Sequence, residues 1–399
     1  MAIGTGGEGT GSVKMLAPDG AQGCGARPAP GQGEVRGEAP PKDPSSFRGL
    51  AASGSGGDGP SRTGRNWLQE LNRGLRCRPE EDVSRMTGWS KIAIIGAGNI
   101  GGTLAQRLAE ADVSEELVLV DIVEGLPQGK ALDIQESAPI VGFSTRIWGS
   151  TKLSDIAQSD LVVLTAGLAR KPGMSRSDLL GKNAQILKAH AEAIRDHAPR
   201  ALVLVVTNPV DVMAYYVRKV TGFPRERVVA ESGTLDSTRF RWFVAEALGV
   251  APRDVVGFVM GTHGDTMVPI LSHCSVNGVP VTRLLPPEKL RAIVERTRKG
   301  GGEIVDLLKM GSAYYAPAAA QAEMAIAMAR GQNRLLSASV LLNGEFGLRD
   351  VYLGVPVVLG RTGLVRVQEI DLTPEERTAL ETSAKAVRTD LSVLESLAL

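Results

Sequence analysis

The sequence predicts an α/β protein: a parallel sheet covered by helices on both faces, then a mixed α+β domain, with a disordered N-terminal tail in front. Three observations carry this. Short, almost wholly apolar runs such as KIAII, LVLV and ALVLVV alternate with longer amphipathic stretches, the pattern of doubly buried strands joined by helical crossovers. Beyond about residue 233 hairpin-like turns such as Asn277-Gly278 separate the strands, and long helices follow. Residues 1 to about 60 are dominated by Gly, Pro and Ser, too poor in apolar side chains to offset their ordering entropy.

The elements follow in order. An Arg-rich stretch with a short helix around 67–75 ends near Met86, where folded texture starts abruptly. Met86 reads as the natural start, with an over-extended reading frame before it; a genuine flexible arm is the alternative. KIAII is a strand, 100–111 a helix and LVLVD a second strand; 125–137 is helical, 145–148 a short strand and 161–165 a buried one. A long helix over 177–197 leads into the strand ALVLVV. In the second half strands are expected at 255–260, 267–272 and 355–360, with helices at 287–310, 317–329 and 373–397. The chain thus divides into a tail (1–88), a first domain (89–232) and a second (233–399), a size suited to two ordinary domains.

Composition excludes several classes of function. With 45 basic and 44 acidic residues the net charge is +1, which gives no electrostatic reason to expect nucleic acid. No apolar run approaches the roughly 20 residues that span a bilayer, so no membrane is expected. The three cysteines, Cys24, Cys77 and Cys274, lie too far apart for a metal site or a disulfide framework, so no metal is expected and a reducing compartment, the cytoplasm, is the default. Only four histidines exist: His190, His197, His263 and His273.

KIAII runs into Gly96-Ala97-Gly98-Asn99-Ile100-Gly101 and a helix follows. The first glycine permits the tight turn, the second a close approach to a pyrophosphate, and the third close packing of helix on strand. The helix N-terminus supplies N–H groups to the anion. Asp121 ends the next strand and can accept hydrogen bonds from both ribose hydroxyls while repelling a 2′-phosphate. The first domain is therefore expected to be of Rossmann type, with NAD rather than NADP as its cofactor.

Chemistry concentrates later. Gly261-Thr262-His263-Gly264-Asp265 follows a strand and exposes an imidazole suited to reversible proton transfer. Leu235-Asp236-Ser237-Thr238-Arg239 begins a helix, so Asp236 can hold one ring nitrogen of His263 while Arg239, a turn later, offers a fork matched to a carboxylate. The segment from Ala169 to Arg176 follows a buried strand, contains Pro and Gly, and precedes a long helix, which makes it a candidate mobile lid. His190, His197 and His273 have no partner motif and are expected to be structural or solvated.

Together GAGNIG, ARKPGMSRSDLL, TNPVD, LDSTRFR and GTHGD, in that order, resemble the lactate/malate dehydrogenase family from residue 90 to the C-terminus. DIVEGLPQGKALDI and GSAYYAPAAA place the resemblance nearest the lactate-dehydrogenase-like malate dehydrogenases. The resemblance implies that His263 is the proton donor and acceptor, Asp236 its orienting partner and Arg239 the anchor of the C1 carboxylate. It implies that Arg176 polarises the carbonyl and that Arg170 discriminates substrates, favouring malate and oxaloacetate over lactate. Asn208, with Val206 and Thr207 before it, would lie near substrate and nicotinamide, and Asn183 along the cofactor. A homodimer or homotetramer is also implied.

Overall fold

Folding of the first half is set by strands that are apolar on both faces. The computed structural model describes residues 88–168 and 176–397. The expected tail, and the segment 169–175 with Arg170, lie outside the described residues; Arg176 is described in its backbone alone. Strand β1 (Trp89–Ile95) buries Ile92, Ala93, Ile94 and Ile95 completely or nearly so. Helix α1 (Asn99–Glu110) lays Leu104, Ala105 and Leu108 against it. There follow β2 (Ser114–Val120), α2 (Leu126–Glu136), β3 (Arg146–Ser150) and β4 (Leu161–Leu164). Helix α3 (Arg176–His197) has Asp178 in its first turn and Arg195 in its last, charges that offset the helix dipole. Strand β5 (Leu202–Val205), helix α4 (Val210–Thr221) and strand β6 (Val228–Ala230) complete this half.

The second half opens with α5 (Gly233–Leu248). Short strands β7 (Val255–Val256), β8 (Val259–Met260), β9 (Val268–Pro269), β10 (Ser275–Val276) and β11 (Val279–Pro280) follow. Long helix α6 (Pro287–Leu308) precedes α7 (Tyr315–Ala329), an Ala- and Met-rich helix buried against α1 and α5. Strands β12 (Arg334–Asn343), β13 (Arg349–Gly360) and β14 (Gly363–Val367) lead to α8 (Pro374–Ser396). Helix α8 starts at a capping box: the Glu376 N–H donates to Thr373 Oγ1 at 3.2 Å, and the Thr373 N–H donates to Glu376 Oε2 at 3.0 Å.

Nine strands form one sheet in the order β14-β13-β12-β6-β5-β4-β1-β2-β3. From β6 to β3 the pairing is parallel, the doubly wound order whose ligand crevice lies where the order reverses, between β1 and β4. A single register row, Val120–Ile95–Leu164–Val205–Ala230, ends five of these strands at one edge. The residues just beyond it, Asp121, Gly96, Thr165, Val206 and Glu231, therefore line up along that edge.

The Rossmann-type sheet followed by an α+β region is as expected, with four differences of detail. The expected strand 255–260 breaks at Gly257-Phe258 into β7, which pairs with β10, and β8, which pairs with β9 in a separate sheet. Of the strand expected at 267–272 only Val268–Pro269 is extended, and a single 3₁₀ turn follows at Leu271–His273. The strand expected at 355–360 is the end of the longer β13. And β12 to β14 continue the parallel sheet, joined to β6 through the antiparallel pair Ser339–Ala230, so the sheet crosses the boundary expected at 232/233. Among the described residues no helix is long and apolar enough to cross a membrane.

Candidate active site

The glycine turn after β1 is tightly determined. Gly96 has φ +110°, and a Cβ there would lie 2.6 Å from the Ala166 nitrogen. A Cβ on Gly101 would lie 1.8 Å from the Gly96 carbonyl oxygen, so α1 can start this close to β1 only without a side chain. Gly98 faces open space, and the first turn of α1 has no side-chain cap, which leaves its N–H groups aimed into that space. Ala97, Asn99 and Ile100 carry the chain through this turn, and Ile100 reaches the cavity described below. Asp121 accepts from the Ala97 N–H at 2.7 Å and the Val123 N–H at 3.0 Å. It thus braces the turn while standing at the edge where a ribose would lie, beside Ile122, an apolar side chain left 89% exposed. This cradle, open only at Gly98 and edged by a carboxylate, fits a dinucleotide.

The strand-end loops opposite are held by Asn183 on α3. Its Oδ1 accepts from the Leu168 N–H at 2.8 Å, and its Nδ2 donates to the carbonyls of Leu168 at 3.2 Å and Asn208 at 2.7 Å. Completely buried, it ties together two loops at the strand ends along which a cofactor would lie. Thr207 is also turned inward, donating to Ala166 O at 2.6 Å. Val206 and Asn208 line the cavity.

That cavity, about 270 Å³, gathers Asn208, Glu231, Arg239, His263 and Gly301. Wider hollows exist, such as one of about 650 Å³ beside Arg298 and Thr382, but it lacks a histidine. His263 Nδ1 lies 2.8 Å from Asp236 Oδ2. A carboxylate accepts only, so Nδ1 carries the proton and Nε2 is left for a ligand. The carboxylate of Asp236, buried on the first turn of α5, pushes the imidazole up to about 9 against the opposing effect of burial. Arg239, one turn along, donates from Nη1 to Asp236 Oδ1 at 3.2 Å. Its Nε is buried with no hydrogen-bond partner among the described residues, and the side chain lines the cavity.

The His263 loop is itself anchored. Gly261 and Gly354 exchange N–H···O bonds of 2.8 and 3.0 Å, and the Thr262 N–H donates to Ser383 Oγ at 2.8 Å. Asp211, buried on α4, accepts from the Thr262 hydroxyl and from the His263 N–H at 3.3 Å. Burial pushes its carboxyl upward. On the far wall, glycines in the middle of α6 leave room for Arg239: a Cβ on Gly300 would come within 3.3 Å of its Cδ.

The structure thus brings His263, Asp236, Arg239 and Asn208 together, with the glycine turn and Asp121 along the same sheet edge. Sequence reasoning missed Glu231, Asp211 and Gly300. His190 is buried and held below the ordinary histidine range by desolvation, consistent with a structural histidine. The arrangement can hold a carboxylate at Arg239 and pass a proton at Nε2 of His263.

Residues 90–230 match the model of the lactate/malate dehydrogenase NAD binding domain, and residues 233–397 that of the family's alpha/beta C-terminal domain. The chain is similar to a malate dehydrogenase of Chlorobium limicola, 49% identical over 307 residues covering 77% of this chain and 99% of that protein. The solved malate dehydrogenase of Salinibacter ruber is 46% identical with a TM-score of 0.74, over 77% of this chain and 98% of that one. A lactate dehydrogenase of Cryptosporidium parvum, solved with lactic acid and nicotinamide adenine dinucleotide, is 41% identical with a TM-score of 0.75, over 78% and 99%. With an NAD-binding sheet, an α+β second half and both family models matched one after the other along residues 90–230 and 233–397, this chain belongs to the lactate/malate dehydrogenase family.

Proposed function

We propose that the protein is an NAD-dependent malate dehydrogenase, interconverting (S)-malate and oxaloacetate. The observation that carries this is the 2.8 Å pairing of His263 with Asp236 beside the guanidinium of Arg239. The malate dehydrogenases similar to this chain support the choice of substrate, as does Arg170, whose charge suits a second carboxylate. An unpaired guanidinium closed over the methyl group of lactate would be left without a partner.

In this reading Arg239 holds the C1 carboxylate and Arg170 the C4 carboxylate, with Arg176 and Asn208 at the C2 oxygen. Neutral His263 accepts the C2 hydroxyl proton at Nε2, and Asp236 stabilises the imidazolium through Nδ1. When bound, NAD supplies the acceptor for the hydride leaving C2. The glycine turn and α1 N-terminus hold its pyrophosphate, and Asp121 its ribose. The same reading includes a homodimer or homotetramer working in the cytoplasm; exposed apolar side chains such as Ile140 and Met310 are available to such an interface.

Three variants test this reading. NADH oxidation by the wild type proceeds with oxaloacetate far faster than with pyruvate, and Arg170→Gln reverses or abolishes that preference. Unchanged efficiency with oxaloacetate in the variant would refute the assignment of Arg170. Gly98→Ala keeps the melting temperature but weakens NADH binding, because its Cβ occupies open space needed by the pyrophosphate. Gly101→Ala, whose Cβ meets the Gly96 carbonyl, destabilises the fold itself by about 2–4 kcal/mol, read by thermal melting.

A further inference from the structure

Glu231 is a buried carboxylate that the mechanism above does not use. It follows β6 directly, and its N–H donates to the Val205 carbonyl at 2.9 Å, fixing the backbone at the sheet edge. Its Oε1 accepts from the Leu235 N–H at 3.0 Å, in the first turn of α5. A neutral amide would cap that turn equally well, and burying a carboxylate costs free energy that an amide does not. Yet Glu231, only 5% exposed, lines the same cavity as His263 and Arg239.

The charges around it explain what a carboxylate does there. From α5 come Asp236 and Arg239, from the loop after β8 comes His263, and from behind that loop Asp211 on α4. On α6 and the segment before α7 the cavity is lined by Gly301, Val305, Ser312 and Ala313, none of them charged. With Glu231 and Asp236 ionised, Arg239 neutralises one of the two carboxylates. Among the described residues, the other is balanced only when His263 carries its proton. Burial pushes the Glu231 carboxyl up to about 7, with His263 opposing the shift, so it is ionised in the range near pH 9 where the imidazole titrates.

We propose that Glu231 is a positioning residue that acts through His263 as a second carboxylate partner, holding the imidazole in its protonated form and tilting the enzyme toward reduction of the keto acid. This rests on the reading of His263 as the proton-transferring group. The tilt follows because reduction begins from imidazolium and oxidation from neutral imidazole.

The test uses Glu231→Gln, which keeps an acceptor for the Leu235 N–H and removes only the charge, with Glu231→Met as a second neutral variant. His263 is titrated by NMR in the full-length, ligand-free protein, where four histidines give few signals and His263→Asn identifies the right one. Both variants are expected to lower its midpoint by about one pH unit. The pH at which NADH-dependent reduction of oxaloacetate declines should fall by the same amount. A cap without electrostatic effect would change stability and leave both midpoints where they are; that result would overturn the proposal. Wild-type protein that turned over neither oxaloacetate nor pyruvate would instead sink the functional reading, while the NMR midpoints would still decide the role of Glu231.

Discussion

Replacing His263 with Asn is expected to cut turnover by roughly 100- to 10,000-fold, the contribution of general acid–base catalysis, while NADH binds as before. Asn fills similar space and can keep a hydrogen bond to Asp236, but no atom of it takes up and returns a proton near neutral pH. The wild-type pH dependence follows from the same group. Asp236 pushes His263 up to about 9, so reduction of the keto acid, which consumes imidazolium, should hold below that pH and fall above it. Oxidation of the hydroxy acid needs the neutral form and should rise over the same interval. Stability carries a matching signature. A histidine whose folded midpoint is raised contributes stability that is complete below about 6.5 and is lost as pH rises through about 9. His263→Asn should flatten that part of a melting-temperature profile. Stopped-flow measurement of NADH oxidation, with fluorescence titration of NADH as the binding control, checks the main effect. A variant retaining most of its turnover would refute the role of His263.

Why some of this was legible beforehand and some was not comes down to how local each signal is. The glycine turn is written in six consecutive residues, Gly96 to Gly101, with its carboxylate at the end of the next strand; the register row Val120–Ile95 then puts Asp121 beside Gly96. The pairing of His263 with Asp236 is legible from their two motifs, and they meet at 2.8 Å. Strand β12 escaped notice because its buried run includes Ser337 and Ser339, and Ser337 is satisfied only by a partner far away in sequence, the Val259 carbonyl. A polar residue bonded at that range looks like a loop residue until the fold supplies its acceptor. Helix α4 was hidden in the same way, since its Asp211 is buried for the sake of Thr262 and His263, about fifty positions on. Glu231 had a usable signal: it follows β6 as Asp121 follows β2. With β6 only three residues long, that parallel could not be drawn from periodicity. The triple glycine Gly300 to Gly302 lies inside a helix, where each glycine costs about 1 kcal/mol against alanine. For Gly300 the reason is steric and lies across the cavity, in the side chain of Arg239.

Arg239→Lys is expected to lower kcat/KM for oxaloacetate by about 100-fold or more, in line with the 2–5 kcal/mol lost when one partner of a buried charge pair is changed. Charge alone does not account for the site. The guanidinium lies almost buried, one arm on Asp236 and its Nε without a partner among the described residues, so its donors are already oriented before a carboxylate arrives. Lysine keeps the charge but replaces a planar fork with a single mobile ammonium, and it cannot reach Asp236 and a substrate carboxylate in the same way. Two comparisons separate the contributions. Arg239→Met removes the charge as well, and because Arg239 opposes protonation of His263, this variant should also raise the imidazole midpoint; Arg239→Lys should leave it nearly in place. Gly300→Val, which forces a branched side chain into the Cδ of Arg239, should reproduce the loss of kcat/KM with the guanidinium intact. NADH affinity should stay unchanged in all three. If Arg239→Lys bound oxaloacetate with the wild-type KM, the carboxylate would have to sit elsewhere, and Arg239 would be left as a partner of Asp236 alone.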